Sequence, residues 1–161
     1  MSKIDKESLA VFRNADDLVD YIALHRFEPV NEGLTQSDEF KELPQNIADI
    51  VYILDFEMVF NGSGLLDLFG NFKSETILNI ISSLQRTNNN GISGILQQAS
   101  QVVDSHGLTH EQIREEIIKA MEAAEEIETF PELRAELSEL EENLYNVMDE
   151  TDYWENAKAL L

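Results

Sequence analysis

The residues of this 161-residue chain whose types could support chemistry are three histidines, a close pair of carboxylates and one glycine-rich corner. His106 and His110 stand four apart in His106-Gly107-Leu108-Thr109-His110. On one helix that spacing would suit a metal ion. Gly107 and the cap signal of Thr109 intervene, so the two rings are expected to point apart, and His25 stands alone. No His-Glu-x-x-His run occurs, nor a glutamate paired with Glu-x-x-His, so neither a zincin nor a di-iron bundle is supported. Asp55 and Glu57 could do acid–base work as a pair, but a chain with 32 acidic residues forms such pairs by chance. Gly62-Ser63-Gly64 lacks the preceding strand and following lysine of a phosphate loop, and Ser63 lacks a Gly-x-Ser-x-Gly setting. Cysteine is absent, which removes disulfides, thiolate zinc sites and thiol nucleophiles. No catalytic residue, metal or cofactor is expected, and function is sought on the surface.

The surface is dominated by charge. Acidic residues outnumber basic ones by 32 to 11, giving a net charge of -21. A core does not need that excess, so the charge concerns partners or solubility rather than fold. Phosphate binding relies on clustered Lys and Arg, so nucleic acid is excluded as a ligand, and an anionic membrane for the same reason. A basic protein is the natural partner. No run approaches 18 apolar residues, and Met1–Asp17 contains no apolar leader core, so the cytoplasm is the expected compartment.

The acidity is uneven. Residues 111–161 carry 16 acidic and 4 basic side chains, a net of -12, against -9 for the first 110. Candidate partner-binding residues are Glu111, Glu115, Glu116, Glu122, Glu125, Glu126, Glu128, Glu132, Glu136, Glu139 and Glu142. A helix from Glu111 to Glu128 would hold seven carboxylates over about 26 Å. One strand of B-DNA carries a phosphate per about 3.4 Å, a comparable density. Arg114 and Lys119 dilute the array, and an ordinary solvated helix face would read the same way.

The elements that must position these groups are helical throughout. The expectation is an all-α fold: one compact domain, a bundle of about seven to nine helices, with residues 111–161 as its most acidic part. Asn14 caps a helix to about His25, and residues 26–36 form a loop. Ser37 opens a short turn, and Pro44 takes the first position of a central helix running to Phe60. Asn61-Gly62 stops that helix, with Gly62 left-handed. Leu65–Phe69 forms one buried turn. Ser74 caps the next helix, Asn88–Gly91 turns the chain, and a further helix carries Ile92 to Val103. Thr109 and Gln112 form a capping box for a helix to about Glu128. Thr129 and Pro131 start another to about Met148, and a short helix follows Asp152. In the Pro131 helix, Leu133, Leu137, Leu140, Leu144 and Val147 form a heptad-like seam. Packing within the bundle is the ordinary use of such a seam, and a dimer interface is the other.

In the corner Glu57–Asn71, glycines supply positive φ and close approach. Glu57, four residues before Asn61, is expected to accept bonds from the backbone N–H groups of the turn. The corner resembles the signature of a bacterial all-helical family whose best-known member is an acidic double-stranded-DNA mimic. The family pattern is roughly E-x-x-x-N-G-G-F-x-Q-F-F-x-N. Glu57, Asn61, Gly62, Gly64, Leu65, Leu68, Phe69 and Asn71 fit it with Ser63 inserted, and Asp67 stands where the family has Gln. The resemblance implies a compact helical fold, leaves room for a homodimer, and implies binding to the DNA-contacting surface of a transcription factor. The expected function is therefore a non-enzymatic DNA mimic acting on a basic DNA-binding protein, a transcription factor or nucleoid protein. An immunity or antitoxin protein that neutralises a basic toxin is the alternative.

Overall fold

The computed structural model describes residues 2–123 and 129–161. Its ordered elements are nine α-helices and two single-turn 3-10 helices, with no strand among the described residues, as the sequence predicts. In chain order the α-helices are α1 (Lys6–Leu9), α2 (Ala15–His25), α3 (Asp38–Lys41), α4 (Gln45–Asn71), α5 (Ser74–Arg86), α6 (Asn90–Ser105), α7 (His110–Glu122), α8 (Pro131–Glu150) and α9 (Tyr153–Lys158).

α4 is the central element. Ile47, Ile50, Val51, Ile53, Phe56 and Phe60 are buried on several of its faces. A helix apolar all round must be covered all round, and α2, α5, α7, α8 and α9 all pack on it. Its start differs by one residue from expectation: Pro44 is the cap, with extended backbone, and Gln45 is the first helical residue. Its middle differs more. Gly62 keeps helical geometry, and the break lies at Gly64, with φ 85° and ψ -171°. Beyond it the helix resumes through Leu65, Leu66, Leu68 and Phe69 and reaches Asn71. The expected stop at Asn61-Gly62 is therefore a kink two residues later. Gly70 lies inside this second segment, where a Cβ would sit 2.7 Å from Ile117 Cδ1 of α7. A side chain there would force Ile117 to shift.

Asn14 caps α2 through the Asp17 N–H, and the Thr109–Gln112 capping box forms at α7 as expected. Ser74 is the first residue of α5 rather than its cap, which is Lys73. Asn88, with φ 61°, makes the left-handed turn before α6, and Gly91 lies inside that helix. α7 was expected to reach Glu128 but ends at Glu122, where Ala123 is extended. Residues 124–128, the rest of the expected helix, lie outside the described residues.

The leucine seam of α8 is used within the chain. Leu133, Leu137 and Leu144 are buried and Leu140 and Val147 partly buried, with α8 seated on α6 and α4. The N-terminal segment is tied to α4 from below. Arg26 Nη2 donates to Asp55 Oδ2 at 2.8 Å, and Asn31 joins the backbone of Ser2, Ile4 and His25.

Candidate functional site

The glycine-rich corner does not present a ligand loop. It seats the acidic C-terminal helices. At Gly64 the helix restarts, and the first N–H groups of a restarted helix lack intrahelical acceptors. Leu65 N–H donates to Glu141 Oε1 of α8 at 2.7 Å. A side chain at Gly64 would collide with that same carboxylate. Four residues earlier, the Phe60 carbonyl accepts from Tyr145 Oη of α8 at 3.3 Å, and the two rings lie 4.5 Å apart.

Glu57 has other partners than those expected of it. Its two oxygens accept from Tyr153 Oη and Trp154 Nε1 of α9, each at 2.9 Å. The turn is capped by Glu141 instead. Burial, reinforced by the Glu57 carboxylate, pushes the Tyr153 phenol well above its usual range. Asn71 Nδ2 donates to the Asp67 carbonyl one turn back, and Asn61 and Gly62 are exposed. The bonds of Glu57, Phe60 and Leu65 therefore run to α8 and α9, and that of Asn71 stays within α4.

Asp55 and Glu57 are engaged by different partners, Arg26 for the first and Tyr153 and Trp154 for the second. Asp55 is buried against Arg26, and burial raises its pKa against the pull of that guanidinium. The histidines also diverge: His106 Nε2 pairs with Glu136 at 2.9 Å, while His110 Nδ1 faces the Phe69 carbonyl. Among the described residues no three His, Asp or Glu side chains gather as metal ligands would.

The predicted carboxylates divide between two helices. On α7, Glu111, Glu115 and Glu122 are exposed and fall on one line, at intervals of 4 and 7 residues. Glu116 is half-buried and off that line. Lys119 lies 3.8 Å from Glu115 and 3.2 Å from Glu116, so α7 is partly neutralised. With two basic residues against four acidic ones, α7 carries a net charge of -2. Glu125, Glu126 and Glu128 lie outside the described residues.

On α8, Glu132, Glu136, Glu139 and Glu142 are all exposed. Their spacing of 4, 3 and 3 keeps them on the face opposite the leucine seam. Asp149 and Glu150, not singled out from the sequence, are exposed on the same side and extend the array to the end of the helix. The span from Glu132 to Glu150 is about 27 Å. Seven acidic residues against Arg134 give α8 a net charge of -6. Arg134 itself is turned back onto Thr129, donating to its carbonyl and hydroxyl oxygens at 2.8 Å. Among the described residues only Glu136 of this face has a basic side chain within 4.0 Å, the His106 ring. Glu141 is the one α8 glutamate withdrawn from display, because it holds the kink.

The arrangement is a row of anions on a stiff rod, anchored by a buried seam on one side and by the kinked helix at its middle. It can attract a cationic surface and hold it in register. The family described as DMP19-like protein matches residues 41–161, which takes in the kinked motif and both acidic helices and leaves out residues 1–40. Neither the curated proteins nor the solved structures yield a match. With about three quarters of its length matched, including every element that carries the anionic face, the chain belongs to the DMP19-like family, the family of DNA-mimic proteins.

Proposed function

We propose that the chain is a non-enzymatic DNA mimic in the cytoplasm whose α8 face occupies the DNA-contacting surface of a basic protein, a transcription factor or nucleoid protein, and blocks its access to DNA. The observation that carries this reading is the lack of neutralisation on α8. A protein acidic only for solubility gains nothing from bonding its one α8 arginine to Thr129 while, among the described residues, Glu132, Glu139, Glu142, Asp149 and Glu150 have no cationic partner within 4.0 Å. Like charges in a row repel one another, and a cationic surface relieves that repulsion on binding.

Glu57, Gly64 and Glu141 contribute indirectly. They fix the position of α8 and α9 relative to the core, so the anions form a rigid array instead of a mobile tail. Pre-organisation matters here because ordering flexible carboxylates at the moment of binding would subtract from affinity. The α8 seam is occupied within the chain, so if a homodimer forms, it uses another face.

The test uses a basic DNA-binding domain, its labelled DNA and rising salt. The mimic should release the DNA at low salt and lose that ability steeply as salt increases. Release of DNA that is indifferent to salt, or no release at all, would refute the proposal.

A further inference from the structure

α7 interrupts its acidic line with an apolar residue. Along Glu111, Glu115, Ile118 and Glu122, at steps of 4, 3 and 4, the third position is isoleucine. Ile118 is 42% exposed, and Met121 beside it is 80% exposed. The pair borders a groove between α7 and the second segment of α4, with Ile117 and Gly70 at its base and Asp67 and Arg114 on its walls. Asp67 is half-buried there, and burial raises its pKa against the attraction of Arg134.

A surface that copied polyphosphate alone would have no use for this feature. Exposed apolar side chains set among carboxylates suit a partner in which an apolar residue is flanked by cations. Taking the mimicry reading as its starting point, we infer that this groove receives one leucine-like side chain of the basic partner, while Glu115, Glu122 and Asp67 face the lysines or arginines around it. The groove gives the partner something DNA does not offer, and so separates proteins that merely bind phosphate from the one this chain is built to hold. The lining side chains Ile117, Ile118 and Met121 are apolar, which favours an apolar side chain in the groove itself.

Two lysine-rich peptides, identical except for leucine or serine at one central position, test the inference on the full-length chain. The leucine peptide should bind about tenfold more tightly, the effect of burying most of one leucine side chain. It should also shift the methyl resonance of Met121 in protein labelled at its methionine methyls, and the serine peptide should not. In the double variant I118E/M121E the preference for leucine should disappear even though two negative charges have been added. Both sites are exposed, so the variant should keep the wild-type melting temperature and helicity. Equal binding of the two peptides with Met121 unmoved would overturn the groove and leave the acidic-face reading standing. A leucine preference that survives in I118E/M121E would also overturn it. Failure of both peptides to bind at low salt would overturn the mimicry reading, and the groove with it.

Discussion

The carboxylate of Glu141 accepts the main-chain N–H of Leu65 at 2.7 Å across 76 residues of sequence. It does so where Gly64, with φ 85°, lets the central helix break and restart. A family motif and an acidic helix thus meet at one hydrogen bond. The motif holds α8 in place.

Glu141→Ala should leave the Leu65 N–H without an acceptor in a confined site and cost about 1–3 kcal/mol. Glu141→Gln retains an acceptor oxygen and should cost less. Gly64→Ala should be at least as damaging, because it combines a strained φ with a collision against the same carboxylate. Urea denaturation of the three variants gives the order directly. A melting curve unchanged by Gly64→Ala would contradict the account of the kink.

Glu57→Ala removes the acceptors of the Tyr153 hydroxyl and the Trp154 indole N–H, while the bond from Asn156 to Asn89 remains. A loss of about 2–4 kcal/mol is expected, since hydrogen bonds to a charged group exceed the neutral average. Trp154 is the only tryptophan, so its emission reports the docking of α9 without ambiguity. The emission should shift to longer wavelength in Glu57→Ala at temperatures where helicity is retained. An unshifted spectrum would show that Glu57 does not hold α9.

Tyr153 makes stability depend on pH in the alkaline range. Its phenol is raised above the ordinary value near 10 by burial and by Glu57. A group raised in the folded state contributes fully below its unfolded pKa, and that contribution falls as pH rises beyond it. Tyr153→Phe should therefore be less stable than the natural chain at pH 7, by about 1 kcal/mol. The gap should narrow above pH 10, where the unfolded tyrosine ionises and the phenylalanine cannot. A gap that widens with pH would contradict the assigned contacts.

The N-terminal segment, outside the family match, supplies Arg26 to a buried acid within it. Arg26→Met should cost about 3–5 kcal/mol, because it strands Asp55 in the core. Replacing both partners, as in R26M/D55L, should recover much of that loss. If the single variant is as stable as the natural chain, the segment is not bound through this pair.

Much of the architecture can be read from local pattern. The Asn14 and Thr109 caps, Pro131, the central apolar helix and the α8 seam are all set by residues within a turn or two of one another. The errors arise where the deciding partner is far along the chain. Local pattern pairs Glu57 with the turn beside it, whereas its hydrogen bonds go to residues 96 and 97 positions away. Gly62 and Gly64 look alike as helix breakers until Glu141 is seen to fill the space that a side chain at Gly64 would need. The anionic face is half legible: the excess of acid in residues 111–161 and the dilution of α7 by Arg114 and Lys119 are plain in the sequence, but only the folded structure shows Arg134 bonded back onto Thr129. Asp149 and Glu150 could have been found by continuing the 3–4 spacing past Glu142.

The account's central claim is that α8 presents its carboxylates as an unneutralised, rigid array to a basic protein. Its most direct test is the salt dependence of binding to a basic DNA-binding domain for two charge-neutralised variants. E132Q/E136Q/E139Q/E142Q should flatten the slope of log affinity against log salt and release the DNA site. E111Q/E115Q/E122Q, on the partly neutralised α7, should change the slope less. Identical slopes for the natural chain and the α8 variant would contradict the claim.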